Sequence, residues 1–406
     1  MSPESVRRPL EGVRVFDLTH VWSGPMGTRV LAALGAEVLK IENPARPDIL
    51  RGNGADLRLR YPDGEYGSDP LNRNAWFNTQ NVGKRSVSLD LKSDEGRAAA
   101  RELAAGCDVV VSNYRAGVLS RMGFGYAELS AINPQVVVVE MTAFPSTSSQ
   151  ATSAGFGAQF DAASGNTWLS GDEHGPILTG FAIGDPVGGL FAASAVVTGL
   201  ARRRATGRGC HVEIPQSEAM MPLFGEAFVA ESRGVPRVAR LNGDVTGAPH
   251  GLFETADGSW VAVGVHDDDQ WSVLARHLRD AGHDLPDRWA DAAVRRGEVA
   301  DVDAAVAAWA RGVTDADRVV EALQDGGVPA GVSAGPASLS GDPQLAATEY
   351  FTELDHPSAG RHPYPGLPLR VDGQRTVPHG PAPLLGEHTG EYVRPVHTVA
   401  EEAATA

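Results

Sequence analysis

Residues 179–190 read TGFAIGDPVGGL, with one acid, Asp185, between Gly184 and Pro186, and the apolar run LFAASAVVTGLARRR follows directly. Two kinds of chemistry suit that acid. As a helix N-cap, an aspartate accepts backbone N–H groups, with proline favoured directly after it, and contributes about 1 kcal/mol. As a nucleophile, a carboxylate can attack an activated acyl group and carry it covalently. The run closes on Arg202, Arg203, Arg204 and Gly207, which suits a helix C-terminus. Gly180, Gly184, Gly188 and Gly189 crowd the acid, and two of them lie inside the expected helix. Each interior glycine costs roughly 0.8–1 kcal/mol relative to alanine. A backbone without side chains admits either another helix or another molecule, and local sequence leaves both open.

Other candidates reduce to ordinary structure. Gly331-Val332-Ser333-Ala334-Gly335 matches the Gly-x-Ser-x-Gly nucleophile elbow. That motif needs a helix directly after the serine, whereas Pro336 and a loop-like ASLSGDP follow here. His266-Asp267-Asp268-Asp269 resembles a set of hard metal ligands, but Asp267 with Gln270 three residues later is a capping-box pattern ahead of WSVLARHL. Neither Gly-x-x-x-x-Gly-Lys nor Gly-x-Gly-x-x-Gly opening a helix occurs, so both nucleotide fingerprints are missing.

The elements around Asp185 alternate. VRVFDLT (13–19), EVLKIE (37–42), SVSLDLK (86–92), DVVVSN (108–113) and VVVVEMTAF (136–144) read as strands. MGTRVLAALGA (26–36), a segment opened by Ser93 and Gly96, and a short run at 116–122 read as helices between them. This alternation predicts βαβ units, and the apolar strands suit a parallel sheet covered on both faces. Residues 46–80, dense in Pro, Gly, Asp and Arg, read as a long surface loop. Helices follow at 186–204 and 216–232. From about 225 a hairpin turned at Asp257-Gly258, a helix at HDDDQWSVLARHLRDAG and two Ala-rich helices (299–312, 315–325) lead to VPAGVS. The expected division is a large domain over 1–224, a small domain over 225–330, and a Pro- and Gly-rich segment over 331–406 that returns to the large domain with little regular structure.

Size and composition bound the rest. A chain of 406 residues exceeds one hydrophobic core, so two domains are expected. Apolar content of 42% and charged content of 21% are ordinary for a globular protein. A net charge of −16 argues against nucleic acid, though not against one small phosphorylated ligand. No apolar stretch of membrane-spanning length stands out, MSPESVRRPLEG lacks a signal h-region, and Cys107 and Cys210 make no disulfide framework. A cytoplasmic location is the resulting expectation. VAEEAATA reads as a solvated acidic tail.

Taken together, the chain resembles the family III CoA-transferases (the CaiB/BaiF group, with formyl-CoA and carnitine CoA-transferases) from Leu10 to about Val393. The likeness is carried by LEGVRVFDLTHVWSGPMGTRVLAALGAEVLKIE, KRSVSLDLKSDEG, SNYRAGVLSRMGFGYAELSAINPQVVVVEMTAF, the GD step at 184–185, RATGRGCHVEIPQSEAM and PLLGEHT. The resemblance implies an α/β fold: a Rossmann-like parallel-sheet large domain and a smaller α/β domain, in an interlocked homodimer. It implies that Asp185 is the nucleophile and passes CoA between acids through aspartyl anhydride and aspartyl-CoA thioester intermediates. Glycines beside it would admit the acyl group. It implies coenzyme A and acyl-CoA as substrates, a carboxylic acid as partner and no metal. The CoA-site candidates are His20, Trp22 and Ser23 in THVWSGP, Leu89 and Lys92 in LDLK, and Asn113, Tyr114, Arg115 and Arg121 in NYRAGVLSR.

Two departures from the family's patterns matter. Formyl-CoA transferases carry glutamine at the place of Trp22, tyrosine at that of Phe156 and a glycine-rich lid where this chain reads ARLNGDVTGAPHG. A bulkier or less polar acyl group than formyl or oxalyl is therefore expected. Related α-methylacyl-CoA racemases use the histidine of a GHD step as a base, and here that step is Gly155-Phe156-Gly157, which disfavours racemization. A racemase and a non-catalytic acyl-CoA-binding protein stand as the alternatives.

Overall fold

The computed structural model describes residues 8–52, 58–172, 174–235 and 242–393; MSPESVR, Ala239–Leu241 of the lid-like region and the VAEEAATA tail lie outside these. Six strands form one parallel sheet: β1 (Arg14–Asp17), β2 (Glu37–Glu42), β3 (Arg85–Ser88), β4 (Val109–Ser112), β5 (Val137–Glu140) and β6 (Cys210–Glu213). Their spatial order is β3-β2-β1-β4-β5-β6. The chain thus runs outward one way from β1, returns to its other side and runs out again. The crevice between β1 and β4 at the strands' C-terminal edge is where such sheets place ligands.

Strand composition follows from burial on both faces. Val15, Val38, Val109, Val111, Val137 and Val139 pack with helices α1 (Ser23–Ala33) and, later in the chain, Gly184–Thr206. The alternate residues Phe16, Leu39, Val87, Val110 and Val138 pack with Leu103 and Ala104 of α2 (Asp94–Ala105) and with Leu119 and Phe124. Successive side chains point to opposite faces, so a run such as VVVV fills two separate cores. Ser93 Oγ caps α2 by accepting the Gly96 N–H at 2.9 Å.

Two further helices carry the site: α3 (Gly157–Ala163) and α4 (Gly184–Thr206). Helix α4 is 23 residues long, and by length and composition it is apolar enough to cross a membrane, contrary to the sequence expectation. The reason is that its apolarity comes from small residues spread among serine and threonine, not from one greasy block. Gly188, Gly189, Ala192, Ala193, Val196 and Gly199 are its buried face. Helices α1 and α4 cross at glycines: a Cβ on Gly189 would lie 3.1 Å from the Gly27 N and from Met26 Cβ, and one on Gly27 would lie 2.6 Å from the Gly189 carbonyl oxygen. The segment expected as one helix over 216–232 is broken into Gln216–Ala219, a 3-10 turn at Met221–Phe224 and α5 (Gly225–Ser232), with Pro222 in that turn.

The chain separates into two compact units, one of residues 1–167, 178–236 and 346–406, the other of 168–177 and 237–345. The second unit holds an antiparallel sheet of β7 (His250–Glu254), β8 (Trp260–Gly264) and β9 (Ala330–Val332). Its hairpin turns at Gly258, φ 81°. Helices α6 (Asp268–Asp280), α7 (Val299–Ala310) and α8 (Ala316–Asp325) supply its core, in which Trp271, Trp289, Val306, Trp309 and Leu323 are buried. Asp267 Oδ1 accepts the Gln270 N–H and Gln270 Oε1 the His266 N–H, each at 2.8 Å, so the acidic cluster caps α6. A helix, Pro336–Ser340, follows Ser333 where a loop was expected, since Pro336 suits a first helical turn. Among the described residues Ser333 is exposed and its hydroxyl bonds no histidine.

The C-terminal segment is more regular than its Pro and Gly content implies. β10 (Phe351–His356) pairs with β11 (Gly360–Pro365), and β12 (Arg370–Val371) with β13 (Gln374–Arg375), all antiparallel. These hairpins use their prolines at strand ends and edges. The α1–α4 crossing gives the first test: Gly189→Ala should lower the unfolding free energy by about 1–3 kcal/mol through overpacking, measured by urea denaturation of the full chain.

Candidate active site

The loop that leaves β1 is held from beneath by buried charges. Asp17, at the strand's end, accepts the Thr19 N–H at 2.9 Å and the Thr28 hydroxyl at 2.7 Å, with Lys84 Nζ 3.3 Å away. Lys40 Nζ, from the middle of β2, donates to the Thr19 carbonyl at 2.8 Å and to Asp48 Oδ2 at 3.1 Å. Asp48 in turn accepts the N–H of Val21 at 3.2 Å. These four charged side chains are fully buried. Burial alone would push Asp17 and Asp48 upward, but Lys84 and Lys40 at Asp17, and Lys40 at Asp48, hold both below the usual carboxylate range. Burial pushes the Lys84 ammonium down to about 8, against the pull of Asp17. Val21 sits at φ 64°, a conformation rare for a β-branched residue, and the Asp48 bonds keep it there.

Residues 46–80, expected as a surface loop, are tied into this frame. Arg51 is buried and forms a two-pronged pair with Glu42 at 2.8 Å through each nitrogen, stacked on the Phe77 ring at 3.7 Å. Ser86 Oγ donates to the same carboxylate at 2.7 Å and accepts the Gly386 N–H at 2.8 Å. The Arg51 guanidinium also reaches Asn72 Oδ1 at 2.7 Å. Charge pairing anchors this segment at Arg51, with Asp48, Asn74, Phe77 and Asn78 buried, while residues such as Ile49 and Leu59 stay on the surface.

On that frame the loop delivers Ser23. Helix α1 begins at Ser23, three residues before the expected start, with Trp22 at its N-cap and Pro25 in its first turn. Asn113, just past β4, locks the turn: its Oδ1 accepts the His20 N–H at 2.9 Å, and its Nδ2 donates to the His20 carbonyl at 2.7 Å and lies 3.5 Å from Ser23 Oγ. The Tyr114 hydroxyl stands 3.3 Å from His20 Nε2, with the rings 5.9 Å apart. Burial pushes the His20 imidazole below its usual value, and Lys40 adds to this against the pull of Asp48.

Asp185 meets Ser23 from the other side. Helix α4 starts at Gly184, and Asp185 is its second residue, making no cap bond. The expected capping role belongs instead to Asp161 on α3, 2% exposed, whose Oδ1 accepts the Gly184 N–H at 2.7 Å and whose Oδ2 accepts the Ile183 N–H at 3.2 Å. With those amides already satisfied, the half-buried Asp185 carboxylate lies against Gly157, and the Gly157 amide and the Ser23 hydroxyl both favour its charged form. A Cβ on Gly157 would lie 2.9 Å from Asp185 Cγ, so only glycine allows this approach. Burial pushes Asp185 upward and the nearby Asp161 charge adds to it, the two donors opposing, to about 6.

The glycines flanking Asp185 have structural partners, which corrects their expected use as room for an acyl group. Gly188 faces Gln216, Gly189 faces α1, and Gly184 faces Phe160 and Asp161. Only Gly180, φ 79°, adjoins open space.

His20, Ser23, Asn113 and Tyr114 are therefore brought together with Asp185, and Trp22 stands beside them with its ring edge-on to Trp76 at 5.8 Å. Leu89 is buried in the same core cluster that Tyr114 packs against. Lys92, Arg115 and Arg121 are exposed and make no bond to this group; they lie on the segments that leave β3 and β4 at the same edge of the sheet. Phe156 is 61% exposed at the start of α3, where its N–H donates to Gln159 Oε1 at 2.7 Å. Sequence reasoning missed Asp161, the Gly157 amide and the Lys40–Asp48 pair. Lys40 carried a signal, a cation in the middle of a strand buried on both faces. Asp161 carried none.

The family model for CoA-transferase family III matches residues 10–389. The chain belongs to the family III CoA-transferases. This CoA-transferase is 29% identical to succinyl-CoA–D-citramalate CoA-transferase of Chloroflexus aurantiacus, over 96% of its own length and 94% of the relative's. It is 30% identical to succinyl-CoA:glutarate CoA-transferase of Mus musculus, over 96% and 86%. The structure superposes on a CaiB/BaiF family protein from Brucella suis with a TM-score of 0.83 at 27% identity, covering 95% of this chain and 98% of that one. The buried frame beneath the CoA-transferase site yields a test: Glu42→Ala should cost about 3–5 kcal/mol by leaving Arg51 unpaired, while Glu42→Met with Arg51→Met should recover much of it, read by denaturant unfolding.

Proposed function

We propose that Asp185 is the nucleophile that moves CoA from an acyl-CoA donor to a carboxylic acid. One observation carries this reading: Asp185 is relieved of helix capping by Asp161 and left half-buried against Gly157, with its carboxylate unspent in the helix start. A carboxylate oxygen of Asp185 attacks the thioester carbonyl, the C–S bond breaks, and CoA leaves as thiolate from a mixed anhydride. The thiolate then attacks the aspartyl carbonyl, which releases the donor acid and leaves an aspartyl-CoA thioester. An acceptor carboxylate attacks that thioester, and the returning thiolate takes the new acyl group and frees Asp185. The Ser23 hydroxyl and the Gly157 N–H supply fixed donors for charge developing on the aspartyl oxygens.

The CoA assignment extends the same edge of the sheet. His20, Tyr114 and Leu89 offer ring and apolar surface, Asn113 fixes the loop, and Lys92, Arg115 and Arg121 offer exposed cations for the nucleotide phosphates. Trp22, Trp76 and Phe156 favour a bulkier or less polar acyl group than formyl. The named relatives act on small dicarboxylates and their CoA esters, so such acids belong in the first substrate panel. Phe156 stands where the related racemases carry a histidine base, which speaks against racemization. We also assign the cytoplasm as its location. A second copy of the chain is the proposed partner: Phe181, Leu190, Phe191 and Val197, and Leu223, Phe228 and Val229 near α5, expose 43–75% of their surface on this unit, and large apolar side chains exposed together suit burial against another chain.

Three outcomes test the reading. Asp185→Asn should lose CoA transfer by at least about 1,000-fold, the scale of losing a covalent route, and hydroxylamine should trap a modified peptide containing Asp185 in the native enzyme only. Because the ionised carboxylate is the working form, kcat/KM for the donor should fall about tenfold per unit as pH drops below about 6. Analytical ultracentrifugation should give a dimer, and Phe191→Glu should release monomers.

A further inference from the structure

We infer that Asp161 is a positioning residue that uses its own charge, as well as its hydrogen bonds, to drive Asp185 into its covalent forms. The inference rests on Asp185 being the nucleophile. Three features of the geometry carry it. Asp161 is 2% exposed, so its charge is poorly screened by water. Both its oxygens are engaged by the Ile183 and Gly184 amides, two and one residues before Asp185, which fixes the first turn of α4. No lysine, arginine or histidine bonds Asp161 among the described residues, so its negative charge is balanced only by backbone dipoles at the helix start.

Two carboxylates thus share one half-buried corner. Gly157 at the start of α3 lies against the Asp185 carboxylate, Asp161 sits on the amide of the residue before it, and of the groups that act on Asp185 (Asp161, the Gly157 amide and the Ser23 hydroxyl) Asp161 is the charged one. Free Asp185 is an anion repelled by this neighbour and poorly solvated. When its oxygen attacks a thioester and the C–S bond breaks, the negative charge departs with the CoA thiolate. The acylated Asp185 is neutral, so burial and repulsion cease to act on it. The same charge loss accompanies the aspartyl-CoA thioester. Whatever raises the free energy of the anion therefore favours both intermediates over the resting enzyme. The raised pKa of Asp185, with Asp161 as its second cause after burial, reports the same imbalance. An N-cap made of a neutral amide or hydroxyl would hold the helix equally well and supply none of this drive.

The test separates charge from scaffold. Asp161→Asn and Asp161→Ser keep an acceptor for the Gly184 N–H and remove the charge; Asp161→Glu keeps the charge. With folding checked by circular dichroism, the charge-free variants should move the acid limb of kcat/KM down from about 6 toward the ordinary carboxylate range. The fraction of enzyme trapped as aspartyl-CoA thioester with donor alone should fall by about tenfold per unit of that movement. Asp161→Glu should keep the limb raised even if turnover drops. An unmoved limb in either folded charge-free variant overturns the inference, as does an equal fall in Asp161→Glu. Absence of any trapped Asp185 in the native enzyme would instead remove the nucleophile reading, whatever the Asp161 variants do.

Discussion

The structure depends on the buried ion pairs beneath the β1 loop. Lys40 reaches from the middle of a strand to the Thr19 carbonyl and Asp48, and Asp48 holds the Val21 amide. Without these contacts a β-branched residue would not stay at φ 64°, the loop would not turn over the strand edge, and α1 would not begin at Ser23. Pairs of this kind seldom exceed hydrophobic replacements in stability. Their value lies in geometry, since each charge is satisfied in only one arrangement of β1, β2 and the following loops.

A second constraint acts on the opposite side. Ser23 and Asp185 belong to different helices, and they meet because α1 and α4 approach to backbone contact at Gly27 and Gly189. Helices separated by ordinary side chains stand 8–10 Å apart, too far for a serine on one to serve a short carboxylate on the other. The interior glycines weaken α4 as an isolated helix and strengthen the site. Asp161 completes the arrangement by taking the N-terminal amides that Asp185 would otherwise satisfy.

The elements of the sheet were legible because their residues obey one rule each. VVVV runs signal strands covered on both faces, and Ser93 or Asp267 before an amphipathic run signals a capped start. Asp185 was legible as one of two things, and its flanking glycines as an approach of unknown partner; choosing required the position of Asp161, which no local pattern encodes. Residues 46–80 misled because turn-forming composition says nothing about a bidentate Arg51–Glu42 pair. The C-terminal hairpins misled because proline at strand edges and ends reads as absence of structure. Long-range pairing decides each of these cases, and sequence spacing does not carry it.

The return of the C-terminal segment has a consequence for how the chain is made. Ser86 receives the Gly386 amide, the Ser88 N–H donates to Thr389 Oγ1 at 2.9 Å, and Arg51 lies 3.3 Å from the Pro383 carbonyl. During synthesis every residue of the candidate site emerges well before these partners, and the contiguous stretch 237–345 of the second unit is complete while the first is still open along β3. A ribosome that stops short of residue 380 therefore releases a chain holding every side chain of the candidate site around an unsealed Arg51–Glu42 pair.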